Sequence, residues 1–255
     1  MKFRQNPEDI LKRLGIYNAE DIDLDLVAYS LGAEVKYSSL IDCEGNIVGT
    51  NTNAIITINK DVGIERQRFS LGHELGHWVN DRNQNLTYRC AVNDMRQREF
   101  QESNFRQQRE VRANQFSAEL LVPKYIVKPL LDSSEINFEL IRKLADIFTV
   151  SVTSMAIRVV ELSKLPCMLI CWTKEGKRRW FIQSEIIPCR IWPHKQINNF
   201  KDFTYISGAM EVDADTWIDG EDADNFTLIQ SVFSNSYGVL TLLWWKDESQ
   251  ILEMC

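Results

Sequence analysis

Residues 66–80 read Arg66-Gln67-Arg68-Phe69-Ser70-Leu71-Gly72-His73-Glu74-Leu75-Gly76-His77-Trp78-Val79-Asn80. Phe69, Gly72, His73, Gly76 and His77 recur at helical spacing, and Leu71, Leu75 and Val79 mark a second apolar face, so the stretch predicts a helix. On that helix His73 and His77 lie one turn apart, and two imidazoles so placed can grip one ion. Glu74, between them, sits beside the open coordination position, where it can take a proton from an attacking water. The chain has only three histidines. A chance match to this pattern is about two in a thousand, so the spacing counts as a signal.

A catalytic zinc takes three protein ligands and keeps a position open. The third histidine, His194, lies far along the chain in a β-type region, which points to a carboxylate as third ligand. Glu110 leads the candidates. It opens a predicted helix running to Val122 and stopped by Pro123. Ala113, Asn114 and Ser117 share its face, and small residues there allow close packing on the histidine helix. Phe116, Leu120 and Leu121 would anchor the other side. Glu99, Glu102 and Glu119 are alternatives, and a Glu at a helix start is also an ordinary solvated charge favoured by the macrodipole.

Working outward, Asn6, Pro7 and Gly15 bracket a short helix, and a second runs from about Ile22 to Leu31 with Gly32 as its stop. Strands are expected at Glu34–Tyr37, Asn46–Gly49 and the β-branched Ala54–Asn59. The last of these could pair with an extended substrate. Asp94–Arg109 is polar, an exposed helix or a connector. Residues 138–162 read as two helices, the second capped by Ser151, in helix-turn-helix outline. Beyond Pro166 six of the seven tryptophans accompany short β-type runs at Cys167–Trp172, Trp180–Gln183, Phe226–Phe233 and Val239–Trp245. The fold class expected is α+β, in three parts. They are a zincin-like metallopeptidase domain over 1–125, a helix-turn-helix-like segment over 126–165, and a small antiparallel β domain over 166–255.

Composition bounds the rest. At 255 residues, 44% hydrophobic and 25% charged, the chain can bury a core. A net charge of −7 disfavours nucleic acid as the main partner. No secretory leader or membrane-length apolar run is read, which places the protein in the cytoplasm by expectation. The cysteines at 43, 90, 167, 171, 189 and 255 follow no metal spacing and are expected as free thiols. Glu211–Asp224 holds seven acids and no base. Trp217 stands at a ligand position there, so a calcium loop fails and a solvated acidic loop is expected.

Two blocks, Arg66–His77 and Glu110-Val111-Arg112-Ala113-Asn114-Gln115-Phe116-Ser117-Ala118-Glu119-Leu120-Leu121-Val122-Pro123, together resemble the ImmA/IrrE family of metallopeptidases. The resemblance spans roughly residues 20–162. It implies that Glu110 completes the metal set with His73 and His77, that Glu74 is catalytic, and that the ion is zinc, with manganese as the alternative. It implies further that the substrate is a helix-turn-helix transcriptional repressor, cut once in a stress, DNA-damage or mobile-element response. Gly72, Ser117 and Val122 stand where the family usually has Ala, Ala and Met, and Arg112 replaces an acid. A GAF-like domain follows in the DNA-damage members; residues 166–255 could be a sensory or GAF-like domain, or a reduced or different β domain, and the resemblance does not extend to them.

Two other readings remain open on the residues. One is a DNA-binding regulator whose metal site is structural or sensory. Lys124 to Lys164 carries six bases and five acids, and the second helix of the pair offers only Arg158, which is poor for gripping phosphates. The other is an enzyme-derived sensor, which the behaviour of a Glu74→Gln variant would separate from a peptidase.

Overall fold

The structure, a computed structural model, describes residues 5–81, 87–90, 105–197, 208–220, 222–246 and 249–254. They divide into two compact units, one of residues 1–129 with 146–151 and one of 130–145 with 152–255. The fold is α+β, as expected.

In the first unit α1 (Pro7–Arg13) begins where the Asn6 side chain accepts from the Glu8 amide, and the chain leaves it through Gly15 at φ 74. Helix α2 (Leu24–Ser30) is shorter than expected, because Asp23 caps it and shuts Ile22 out. Strands β1 (Ala33–Ser38), β2 (Gly45–Gly49), β3 (Ala54–Asn59) and β4 (Thr87–Cys90) form one sheet in the order β1-β3-β2-β4. β1 runs parallel to β3, and β2 runs antiparallel to both β3 and β4. Strand β3 is therefore interior. Both its edges are taken, so the suggestion that Ala54–Asn59 pairs with a substrate is overturned. Its Ile56 and Ile58 are buried.

Helix α3 (Ile64–Asp81) carries both histidines, and α4 (Phe105–Leu121) packs against it. α4 begins before Glu110, so Glu110 sits inside the helix and not at its solvated start. α5 (Lys124–Asp132) follows directly, with Pro129 inside it. The helix pair read from sequence is α6 (Phe138–Phe148) and α7 (Val152–Leu162). Of the polar stretch 94–109, residues 94–104 lie outside the described residues.

The second unit centres on β5 (Cys167–Trp172), β6 (Arg178–Gln183), β7 (Met210–Asp213), β8 (Thr227–Asn235) and β9 (Gly238–Trp244). All pairs are antiparallel and the order is β6-β5-β9-β8-β7. Trp172, Trp217 and Trp245 are fully buried in its core, where the Trp172 and Trp217 rings lie 5.7 Å apart. Gly238 (φ 154) is needed where β9 passes β5, because a Cβ there would sit 2.3 Å from the Trp172 carbonyl oxygen. The acidic stretch 211–224 is not a plain loop. It includes part of β7 and two 3-10 turns that bury Ala214, Trp217 and Ala223. A terminal helix α8 (Ser249–Met254) was not expected. Cys43, Cys167 and Cys171 take part in no disulfide, whereas Cys189 is disulfide-bonded, against the expectation. No helix among the described residues is long and apolar enough to cross a membrane.

Candidate metal centre

Helices α3 and α4 approach closely because their contact is made of small residues. A Cβ on Gly76 would lie 2.9 Å from the Ala113 Cα, and one on Gly72 would lie 2.5 Å from the Ser117 Oγ. That hydroxyl donates to the Phe69 carbonyl at 2.8 Å. The close approach brings side chains from the two helices onto one point. The Nε2 atoms of His73 and His77 are 3.1 Å apart. Each faces the same Glu110 oxygen, Oε2, at 3.2 and 3.3 Å respectively.

These separations test whether a metal fits. Four ligands at about 2.0–2.1 Å from a tetrahedral zinc lie roughly 3.3 Å from one another. The two nitrogens and the oxygen are spaced as three corners of such a site. Among the described residues this trio is the one group of three or more His, Cys, Asp or Glu side chains placed to hold an ion.

The far side of each imidazole is also held. His73 Nδ1 donates to Asn114 Oδ1 at 2.8 Å, and His77 Nδ1 donates to Asp81 Oδ2 at 3.4 Å. With the protons on Nδ1, both Nε2 lone pairs point at the shared centre. Asp81 is itself fixed, since Arg109 Nε donates to its Oδ2 at 3.1 Å and Arg112 Nη2 lies 3.8 Å from its Oδ1. Arg112, which departs from the family pattern, therefore supports a carboxylate on the partner helix.

Burial and charge act together on these groups. Burial alone would lower the His77 pKa, but its hydrogen bonds to Asp81 and Glu110 outweigh that and raise it to about 9 in the metal-free site. Burial would raise Glu110, yet its bonds to His73 and His77 hold it well below the usual carboxylate range. Asp81 is likewise held low by His77 and Arg109 against the effect of burial.

Glu74 lies outside the trio. It is fully buried, and its carboxyl packs on Gly45 at the start of β2, where a Cβ would come within 3.1 Å of Oε1. Beside it Glu44 is buried and pairs with Arg66, and Ser70 Oγ donates to Glu44 Oε2 at 3.3 Å. The other candidates stand elsewhere. Glu119 accepts from Gln115 at 3.0 Å and is not in the trio. Glu99 and Glu102 lie outside the described residues. His194 Nε2 meets the Asp215 carbonyl at 2.7 Å in the second unit.

Sequence reasoning missed Asp81 and Arg109, and gave Asn114 no role. Asp81 had a signal, because 73, 77 and 81 form one stripe at the i, i+4 period. Asn114 had a weaker one, four residues after Glu110.

Residues 19–160 match the family model Peptidase_M78, the IrrE N-terminal-like domain. No curated protein matches the chain. Among solved structures it is similar to a Mycobacterium tuberculosis transcriptional regulator at 12% identity and a TM-score of 0.59, covering 96% of this chain and 77% of that one. At that identity the likeness concerns the fold.

Proposed function

The chain belongs to the Peptidase_M78 family, the IrrE N-terminal-like domain, and on that premise we propose that it is a zinc-dependent endopeptidase. Its proposed action is one site-specific cut in a helix-turn-helix transcriptional repressor, in a stress, DNA-damage or mobile-element response. The observation that carries the reading is the convergence of two Nε2 atoms and one carboxylate oxygen at 3.1–3.3 Å. His73, His77 and Glu110 are the proposed ligands. Two imidazoles and a carboxylate favour zinc over manganese. A zinc ion held there would polarise the scissile carbonyl and acidify a water.

The remaining chemistry falls to the chain. Asn114 and Asp81 hold the imidazole rings in the ligating tautomer. Glu74 takes the proton of the attacking water onto a carboxylate oxygen and delivers it to the leaving nitrogen. Gly45, having no side chain, leaves room for that carboxylate. The repressor as substrate rests on the family resemblance, and a polypeptide substrate on family membership. The proposed layout keeps catalysis within 1–125, the helical segment at 126–165 and a sensory or GAF-like role for 166–255.

The test is metal analysis of the purified chain, paired with a cleavage assay on helix-turn-helix repressors from the same genome. One zinc per chain is expected. Glu74→Gln should keep that zinc and lose cleavage, and His73→Ala should lose both. Cleavage retained by Glu74→Gln would refute its role. Specific duplex-DNA binding that survives His73→Ala, with no cleavage by the unaltered chain, would favour a regulator with a structural or sensory metal.

A further inference from the structure

The outer edge of the second sheet carries a different chemistry. Strand β6 is an edge strand, and residues 190–197 run beside it. The Arg178 amide donates to the Lys195 carbonyl at 3.0 Å, the Ile197 amide donates to Gly176 at 3.0 Å, and Lys177 bridges Gln196. The two stretches 177–183 and 190–197 hold five bases, Lys177, Arg178, Arg179, Arg190 and Lys195, and no acid, in a chain of net charge −7. Glu211 and Asp213 sit on β7, at the opposite edge of the same sheet. Asp215 and Asp219 of that acidic stretch instead border residues 192–194, where the Asp219 amide donates to the Trp192 carbonyl at 2.8 Å and His194 Nε2 meets the Asp215 carbonyl. Four strand spacings, about 19 Å, separate the two edges.

Aromatic rings lie at the centre of the basic edge. Phe181 and Trp192 meet edge to face with centroids 5.4 Å apart. The Arg190 guanidinium stands 4.4 Å from the Phe181 centroid and 5.2 Å from that of Trp192. Arg178 stands 5.1 and 5.9 Å from the same two rings. Two like charges thus share one aromatic pair. Asp219 is within Coulombic reach of Arg178. Among the described residues no carboxylate forms an ion pair with either arginine, although ion pairs form elsewhere in this unit. Arg178 is anchored by its bond to the Pro193 carbonyl. Trp192 is left 52% exposed, so a face of its indole is open to a stacking partner.

We propose that this edge binds single-stranded nucleic acid, with a base stacked on Trp192 and the flanking phosphates held by Arg178, Arg190 and the neighbouring lysines. Guanidiniums with an exposed indole match the two demands of a single strand, backbone charge and an unstacked base. A duplex offers the phosphates but keeps its bases stacked away from the ring. An acidic peptide offers charge and gives Trp192 nothing to stack on. The site is separate from the histidine centre, and its test needs no peptidase activity.

The probe is fluorescein-labelled dT20, titrated with the full chain and read by fluorescence anisotropy. If about four phosphates are contacted, raising salt from about 50 to 200 mM should weaken binding roughly 50-fold. Arg190→Ala and Trp192→Ala should each weaken it about tenfold, while Trp192→Phe keeps most of it. Arg190 is exposed, so its variant folds whatever becomes of Trp192→Ala. Lys143→Ala, on α6, should leave binding unchanged. No salt-dependent binding, or Arg190→Ala binding dT20 as the unaltered chain does, would overturn the proposal. Equal competition by a twenty-residue poly-glutamate, or tighter binding of a duplex of the same length, would also overturn it.

Discussion

Exchanging Gly72 for alanine tests how α3 and α4 are held together. The new Cβ would meet Ser117 Oγ at 2.5 Å and the Ser117 Cα and Cβ at 3.2 Å each. Ser117 is fully buried and its hydroxyl is committed to the Phe69 carbonyl at 2.8 Å. It can yield only by giving up that bond or by pushing α4 away. Overpacking costs about 1–3 kcal/mol, and a displaced buried hydroxyl adds about 1 kcal/mol or more. Alanine in place of glycine in a helix interior returns about 1 kcal/mol. Gly72→Ala should therefore destabilise by roughly 1–3 kcal/mol. Ser117→Ala alone loses one hydrogen bond, about 1 kcal/mol. In the double variant the oxygen is gone and the methyl added at position 72 occupies its place. The remaining contacts, at 3.2 Å, need only a small shift. The double variant should thus return close to the unaltered chain, a coupling of about 2–4 kcal/mol between two residues in contact.

The measurement is the urea midpoint of all four members of the cycle, with the zinc dissociation constant of each. Glu110 lies on α4 two turns before Ser117, so a displaced α4 should also weaken zinc binding in Gly72→Ala and restore it in the double variant. A neutral Gly72→Ala, or additive effects in the double variant, would refute this account of the helix contact. The sequence departs from the family's two alanines at both positions, and the structure explains the pair as one group moved across the interface.

Three more outcomes are expected. Gly45→Ala would place a methyl 3.1 Å from Glu74 Oε1. It should lower kcat roughly 10- to 100-fold, as a misplacement of about 1 Å does, with zinc stoichiometry by elemental analysis unchanged. Asp81→Asn should weaken zinc about 10- to 100-fold by competition with a chromophoric chelator, because the His77 ring loses its charged anchor. The third concerns pH. His77 in the metal-free site has its pKa raised from 6.5 to about 9, so its stabilising contribution is full below 6.5 and fades as pH rises through about 9. Glu110 is held low, so its contribution is present above its ordinary 4.5 and is lost on acidification through its depressed value. Metal-free stability should therefore fall from pH 6.5 to 9 in denaturant titrations. Zinc binding at pH 7 should release about one proton from His77, seen as a dependence of calorimetric heat on the buffer's ionisation enthalpy.

What was legible in the sequence follows how local each signal is. The α3 period, the β-branched run of β3 and the α6–α7 pair are local patterns, and the structure has an element at each. Strand β4 was not legible, because Thr87–Cys90 is a strand through its pairing with β2 rather than through its own composition. Helix α5 was hidden by Pro129, which argues against a helix locally; burial of Val127 and Leu131 argues the other way. Phe105–Arg109 belonged to a polar stretch read as an exposed helix or a connector; it is the first part of α4, so Glu110 was misread as a helix start. Arg109 is in fact buried because Asp81, on another helix, accepts its hydrogen bond. A charge whose partner is 28 residues away leaves no periodic trace.

Charge balance links these particulars. The cluster sets three buried carboxylates, Glu74, Asp81 and Glu110, against the buried Arg109 and the partly exposed Arg112, leaving one negative charge if both imidazoles are neutral. Isolated charge is costly inside a protein, so the cluster must acquire a cation. Without metal the least costly cation is a proton, and the raised pKa of His77 is that proton being held. A divalent ion among the same three atoms would displace the proton from His77 Nε2 and take the cluster from one negative to one positive charge. On this account zinc and the proton compete for one position. The fixed guanidiniums set the terms of the competition, since they leave the cluster one positive charge short. Removing either arginine would deepen the deficit, so that His77 holds its proton to higher pH in the metal-free site.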